Sequence, residues 1–200
     1  PNEPNHTCKS QFVHLLVDDH DPTLKEIEKA FGIEKVTKEF FENYQKRYWD
    51  LRDSLERVIK RDANVKEEFM RIVQNDEEEL KNFVVEFSKK LLGQIVFLYF
   101  LQKKGWLGVG IYDKWGTGPK DFMRRLFGGG KQNYKPLVKY DNFFNDILEP
   151  LFYDTLARKR DGDYCKFGNV AFKIPFLNGG LFEPLDGYKW EATDITIDDN

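Results

Sequence analysis

The sequence predicts a mainly α-helical chain, a multi-helix, bundle-like domain with a small irregular or β segment near its C-terminus. Three observations point there. Apolar residues recur at three- and four-residue spacing over long stretches, the spacing of one helix face. Start and stop signals bracket those stretches. The chain is also rich in rings, with 18 Phe, 9 Tyr and 4 Trp among 200 residues, and side chains of that size fill deep cores.

Taken in order, residues 1–20 read as loop, with Pro1, Pro4 and three histidines. Asp21-Pro22 signals a helix start, and Leu24, Ile27 and Phe31 keep helical spacing until Gly32. Thr37 opens the next predicted helix. Phe41, Tyr44, Tyr48, Leu51, Leu55 and Val58 form its stripe, and Lys60, Arg61 and Asn64 end it. A short helix follows over Val65 to Val73. The longest element comes next: Asp76 caps it, Glu77, Glu78 and Glu79 sit at the positive end of its dipole, and Lys103, Lys104 and Gly105 close it. From Leu91 to Leu101 it is apolar almost all round, which marks the centre of the core.

Residues Trp106 to Gly118 read as a glycine-rich loop pinned by Trp106, Tyr112 and Trp115. Pro119 starts a short predicted helix over Lys120 to Phe127, stopped by Gly128-Gly129-Gly130. Asp141 caps another that carries Phe143, Phe144, Ile147, Leu148, Leu151 and Phe152. Pro150 removes a backbone donor there, so it either kinks that helix or begins a new one. Val170 to Ile174 reads as a strand, Asn178-Gly-Gly180 as a turn, and Thr193 to Asn200 as an acidic edge or frayed end. The domain reading is residues 1–20 as a loop-like segment, 21–160 as a helical domain and 161–200 as a loop and β segment.

Composition narrows the class. Two cysteines, Cys8 and Cys165, make neither a disulfide scaffold nor a four-cysteine zinc site and suit a reducing, cytoplasmic setting. The run Leu91 to Leu101 is too short for a bilayer core of about 30 Å. The polar stretch Pro1 to Ser10 does not read as a signal peptide, and Pro1 in place of Met reads as the start of a piece cut from something longer. The net charge of −3 argues against a general nucleic-acid binder. Its distribution argues differently. Lys103 to Tyr140 holds nine basic residues against two acidic ones, while the remainder is acidic by ten.

Catalytic patterns are incomplete. A PD-(D/E)xK nuclease needs clustered carboxylates and a nearby Lys, and the match, Glu79-Leu80-Lys81, falls in a first helical turn where acids favour the dipole. Asp18, Asp19, His20 and Asp21 read as loop and cap residues, and His6, Cys8, His14 and His20 match no constrained zinc spacing. Gly128-Gly-Gly-Lys131 lacks the first Gly and the Ser/Thr of a phosphate loop. Gly105 to Gly110 follows a helix where a dinucleotide fingerprint follows a strand. No Pro-Pro pair exists to build the Asn/Asp-Pro-Pro-aromatic turn of an adenine methyltransferase. What remains is a candidate nucleic-acid contact set, Lys120, Arg124, Arg125, Lys131 and Lys135. It is flanked by Lys114 and Lys139 and interleaved with Trp115, Phe127, Tyr134 and Tyr140.

Four segments then carry a resemblance. They are Glu34 to Tyr44 (EKVTKEFFENY), Ile95 to Leu107 (IVFLYFLQKKGWL), Asp141-Asn-Phe-Phe144 with Leu148-Glu-Pro-Leu-Phe152, and Phe176 to Glu183 (FLNGGLFE). In this order they resemble the region ahead of the methyltransferase domain in type IIG (often labelled type IIS) restriction–modification proteins, over about residues 10 to 190. Those single chains fuse an endonuclease to an S-adenosylmethionine-dependent adenine-N6 DNA methyltransferase. The resemblance implies that residues 21–160 are a helical connector between the two catalytic domains, leading into a methyltransferase domain downstream. It implies S-adenosylmethionine and Mg²⁺ in the parent, duplex DNA as partner, and no catalytic residue, cofactor site or metal site in this stretch. The competing readings are a helical protein–protein interaction module without DNA binding, and a free-standing nuclease built on Asp18.

Overall fold

A computed structural model describes residues 23–26, 33–128, 135–177 and 179–197. It is mainly helical, with one small two-stranded sheet near the C-terminus. The chain divides into two compact units, Pro1–Arg47 and Tyr48–Asn200.

In the first unit, Thr23 and Glu26 form a capping box. The Glu26 carboxylate accepts from the Thr23 amide at 2.8 Å, and the Thr23 hydroxyl accepts from the Glu26 amide at 3.4 Å. Residues 24–26 are helical, and the rest of that predicted helix, with Asp21, Pro22 and the whole 1–20 segment, lies outside the described residues. Helix α1 runs Ile33–Arg61, four residues earlier than Thr37 suggested. Its residues from Tyr48 onward belong to the second unit.

In the second unit, Leu55, Val58 and Ile59 of α1 are buried. α1 ends at Arg61 and not at Asn64, because Asp62 caps a new helix there. Its carboxylate accepts from the amides of Asn64 at 2.9 Å and Val65 at 3.3 Å. Helix α2 is Ala63–Ile72. Helix α3, Glu77–Lys104, keeps both expected ends: the Asp76 side chain accepts from the amides of Glu78 and Glu79, and Gly105 closes it in the left-handed conformation. At 28 residues it is about 42 Å long.

α3 is the spine of the core. Phe83 and Phe87 on α3 meet Phe69 of α2 with ring centroids 5.1 and 5.7 Å apart. Gln94, the polar residue inside the apolar half, is buried, and its Nε2 donates to the Leu181 carbonyl at 2.8 Å. One turn earlier, Lys90 donates to the Gly180 carbonyl at 3.0 Å, and burial lowers the pKa of its ammonium against the pull of Glu183 and Asp186. Phe182 then fills the core between Phe97 and Phe152. The Phe-Leu-Asn-Gly-Gly-Leu-Phe-Glu segment is thus fastened to the middle of α3 by its carbonyls and one ring.

Helix α4 is Phe122–Phe127, starting after Pro119 and not at it. Pro150 begins a new helical element, the second of the two alternatives, but one with π-type rather than α-type turns. The chain passes it in two π-type turns, α5 (Phe144–Leu148) and α6 (Pro150–Leu156). Wide turns bond five residues back, as Ala157 does to Phe152 and Glu149 to Phe144, so the ladder skips the missing proline donor. Asp141 is not the cap. The Asn142 side chain accepts from the Asn145 amide at 3.1 Å, and Asp146 accepts from the Asp141 and Asn142 amides.

The strand over Val170 has a partner that the sequence did not announce. β1 (Tyr164–Phe167) and β2 (Val170–Lys173) form an antiparallel hairpin turned at Gly168, whose φ of 56° suits glycine. The Arg160 guanidinium donates to the carbonyls of Thr155, Ile174 and Tyr164, tying the end of α6 to the hairpin. Residues 193–197 are not frayed: Thr193 and Ile195 are buried, and the Asn145 side chain accepts from the Ile195 amide at 2.9 Å. No described helix is long and apolar enough to cross a membrane.

Candidate nucleic-acid interface

The basic stretch is organised around the end of α3. Gly105 stops the helix at φ 73°, and the amides of Gly105 and Trp106 turn back to the carbonyls of Gln102 and Leu101. The Gly105 carbonyl accepts from both Gly116, at 3.1 Å, and Gly118, at 3.0 Å, so the loop closes on the helix end. A Cβ at Gly105 would stand 2.3 Å from the Gly116 oxygen and 2.5 Å from Lys120 Nζ. Only glycine permits this approach.

The next polar residue of α3 positions α4. The Asp121 side chain makes no cap for α4. Instead the buried Gln102 side chain accepts from the Met123 amide at 3.0 Å, a cap delivered from another helix. Phe122, Met123 and Leu126 are buried beneath it, and Arg124 and Arg125 remain on the exposed side. Across the loop, Val109 pairs with Lys173 by two backbone hydrogen bonds, of 3.1 and 2.7 Å. That pairing places the Lys173 ammonium on the Asp113 carbonyl and 5.2 Å from the centre of the Trp115 ring.

The predicted contact residues fare differently. Lys120 is exposed, with its ammonium 3.4 Å from the Gly116 carbonyl. Arg124 is exposed. Arg125 is engaged, its Nε donating to Asp121 at 2.8 Å one turn back. Lys135 is exposed, and Lys131 lies outside the described residues, as does Tyr134. Phe127 and Tyr140, expected as stacking rings, pack instead with Phe143, at 4.9 and 5.2 Å, and the Tyr140 hydroxyl donates to the Phe127 carbonyl. Phe127 nevertheless stays 38% exposed. Tyr112, in contrast, is 99% exposed, and Trp106 and Trp115 are more than two-fifths exposed.

Sequence reasoning missed Lys173. It lies outside the basic stretch in sequence and reaches it through the β2–Val109 pairing, a contact with no local signature. Lys104, counted in the basic stretch but not in the contact set, has its ammonium 5.6 Å from the centre of the half-exposed Phe100 ring.

This arrangement offers cations and rings, the chemistry of phosphate contact and stacking. Cys165 is half-buried, its thiol donates to the Phe172 carbonyl at 3.4 Å, and burial pushes its pKa up to about 12, so it stays protonated at neutral pH. Among the described residues no three His, Cys, Asp or Glu side chains converge to hold a metal ion. Gly105 is a helix cap where a dinucleotide site needs a strand-to-helix turn. The Asp18 cluster and the histidines at 6, 14 and 20 lie outside the described residues. No family model, no curated protein and no solved structure matches this chain.

Proposed function

We propose that this chain is the helical connector of a type IIG/IIS restriction–modification enzyme and lies against the phosphate backbone of duplex DNA through the surface around the end of α3. The observation that carries the reading is that the last turn of α3, with Lys103 and Lys104, the loop that closes on Gly105, with Lys114 and Lys120, and Lys173 through its pairing with Val109 meet at one place. A local excess of positive charge in an otherwise acidic chain attracts phosphate there and repels it elsewhere. Cations on backbone phosphates position a protein without reading sequence, the task of a spacer between a nuclease and a methyltransferase. The long α3, with the 176–183 segment fastened to its middle, suits a rigid spacer. S-adenosylmethionine and Mg²⁺ belong, on this reading, to the flanking domains of the parent chain, in a cytoplasmic setting.

The test is anisotropy with a labelled duplex at a series of salt concentrations. Five phosphate contacts give a log–log slope of about −4 to −5. Arg124→Glu with Arg125→Glu weakens binding on every duplex sequence and flattens that slope. Unchanged affinity in the double variant removes the α4 part of the surface, and salt-independent binding removes the reading altogether. The exposed Tyr112, Trp106 and Trp115 favour a second reading, an aromatic docking surface for a protein domain. A DNA-free, salt-insensitive complex in sedimentation that is lost in Tyr112→Ser supports that reading.

A further inference from the structure

Residues 185–197 cross the helical core as a strap, and what lies beneath them is unusual. Glu149, at the junction of α5 and α6, is 1% exposed, and its Oε1 accepts from the Tyr188 hydroxyl at 2.6 Å. Tyr188 is itself buried, its ring 5.4 Å from Phe87, 6.2 Å from Phe69 and 6.5 Å from Tyr153. The strap is also held by the buried Ile195 side chain, by the Ile195 amide on Asn145 at 2.9 Å, by the Trp190 ring 5.5 Å from Tyr153, and by polar ties at its edge. Arg71 donates to the Gly187 carbonyl at 3.4 Å, Arg61 to that of Thr196 at 3.3 Å and Asn142 to that of Ile197 at 3.0 Å. Near its start the strap is pinned by a phenol resting on a buried carboxyl, its one buried tie to a titratable side chain.

We propose that the strap is a proton-controlled latch, closed over the core while Glu149 carries its proton and loosened when Glu149 ionises. The groups facing the carboxyl are Tyr153 one turn along α6 and Tyr188 and Asp194 from the strap, while Glu68 of α2 acts on Tyr188 from the other side. Each of these is neutral or acidic. α3 contributes the Phe87 ring. An ionised Glu149 in that setting has one hydroxyl to satisfy it and an apolar cage around it, a costly burial. Desolvation, reinforced by Asp194 and opposed by the Tyr188 hydrogen bond, raises its pKa from 4.5 to about 8.

The sign follows from proton binding. The closed form holds the proton up to about pH 8, whereas an open form with Glu149 in water releases it near 4.5. Closure is therefore strongest below pH 4.5, weakens about tenfold per pH unit as pH rises through that window, and levels off above about 8. Opening would also widen the cleft of about 800 Å³ that Thr193, Asp194 and Thr196 line with Glu67, Glu68 and Arg71.

Hydrogen exchange on the full chain tests this. The amides of Tyr188, Ile195 and Ile197 report the strap, and those of α3 between Leu91 and Leu101 report the core. After correction for intrinsic exchange, strap protection falls about 100-fold between pH 5.5 and 7.5 while core protection holds. Glu149→Gln keeps a neutral acceptor and makes strap protection independent of pH. Tyr188→Phe, which removes the donor that favours the carboxylate, moves the levelling point to higher pH. Strap protection that is flat in the native chain, a fall unaltered in Glu149→Gln, or an unmoved levelling point in Tyr188→Phe overturns the latch.

Discussion

Replacing Gly105 with Ala, beside the same change at Gly93, tests the loop closure on which the candidate interface depends. At Gly105 the new Cβ meets a backbone oxygen at 2.3 Å in a residue held at φ 73°. A left-handed conformation costs a non-glycine residue about 1–2 kcal/mol. Relieving the contact pushes the loop away and strains the two hydrogen bonds to the Gly105 carbonyl, each worth about 1 kcal/mol. The sum is a loss of about 2–4 kcal/mol, a large share of the roughly 5–15 kcal/mol that holds a domain together. Gly93 lies inside α3 with nothing within 4 Å of a built Cβ. Ala there stabilises by about 0.5–1 kcal/mol, because it removes chain entropy from the unfolded state. Urea unfolding of both variants at constant m-value reads the difference, and duplex affinity tests the proposed interface. Gly105→Ala weakens DNA binding because Lys120 and Lys114 move with the loop; Gly93→Ala leaves it unchanged. Equal stabilities for the two variants, or a Gly105→Ala chain within about 0.5 kcal/mol of the parent, refutes the reasoning.

Two further substitutions probe the core. Gln94→Leu removes the donor to the Leu181 carbonyl in a part-buried hydrogen bond, for a net loss of about 1 kcal/mol in denaturant unfolding, with the largest gain in hydrogen exchange at residues 179–183. Phe69→Ala empties a fully buried site that touches Phe83, Phe87 and Tyr188, and destabilises by about 3–5 kcal/mol. A loss below about 1 kcal/mol there contradicts its place at the centre of the aromatic cluster.

The connector reading and the latch make different demands on the same helices. A spacer needs α3 to resist bending, and the fastening of Lys90 and Gln94 to the 180–181 carbonyls opposes local fraying at its middle. A latch needs a segment of lower stability laid over that frame. The 185–197 strap supplies it, since one of its buried ties is to a titratable carboxyl. The two can coexist because the strap's pin sits on α5 and α6 while the fastening sits on α3.

The sequence by itself determined what depends on neighbours along the chain. α3 begins at Asp76 and ends at Gly105 because a carboxylate reaches amides two and three residues on, and because glycine alone enters the left-handed conformation cheaply. The helical character, the central place of Leu91 to Leu101 and the basic stretch were legible for the same reason. Tertiary structure decided the rest. Gln94 is a core polar residue because Leu181, 87 residues away, offers it a carbonyl. Lys173 joins the basic surface through Val109, Arg125 is drawn off by Asp121, and Phe127 and Tyr140 turn to Phe143. Tyr188 finds Glu149 across 39 residues. Capping and periodicity act over one or two turns and leave a mark in the order of residues. A hydrogen bond or ring contact between distant segments leaves none, since it is chosen by whatever side chain the folded backbone brings within about 3 Å.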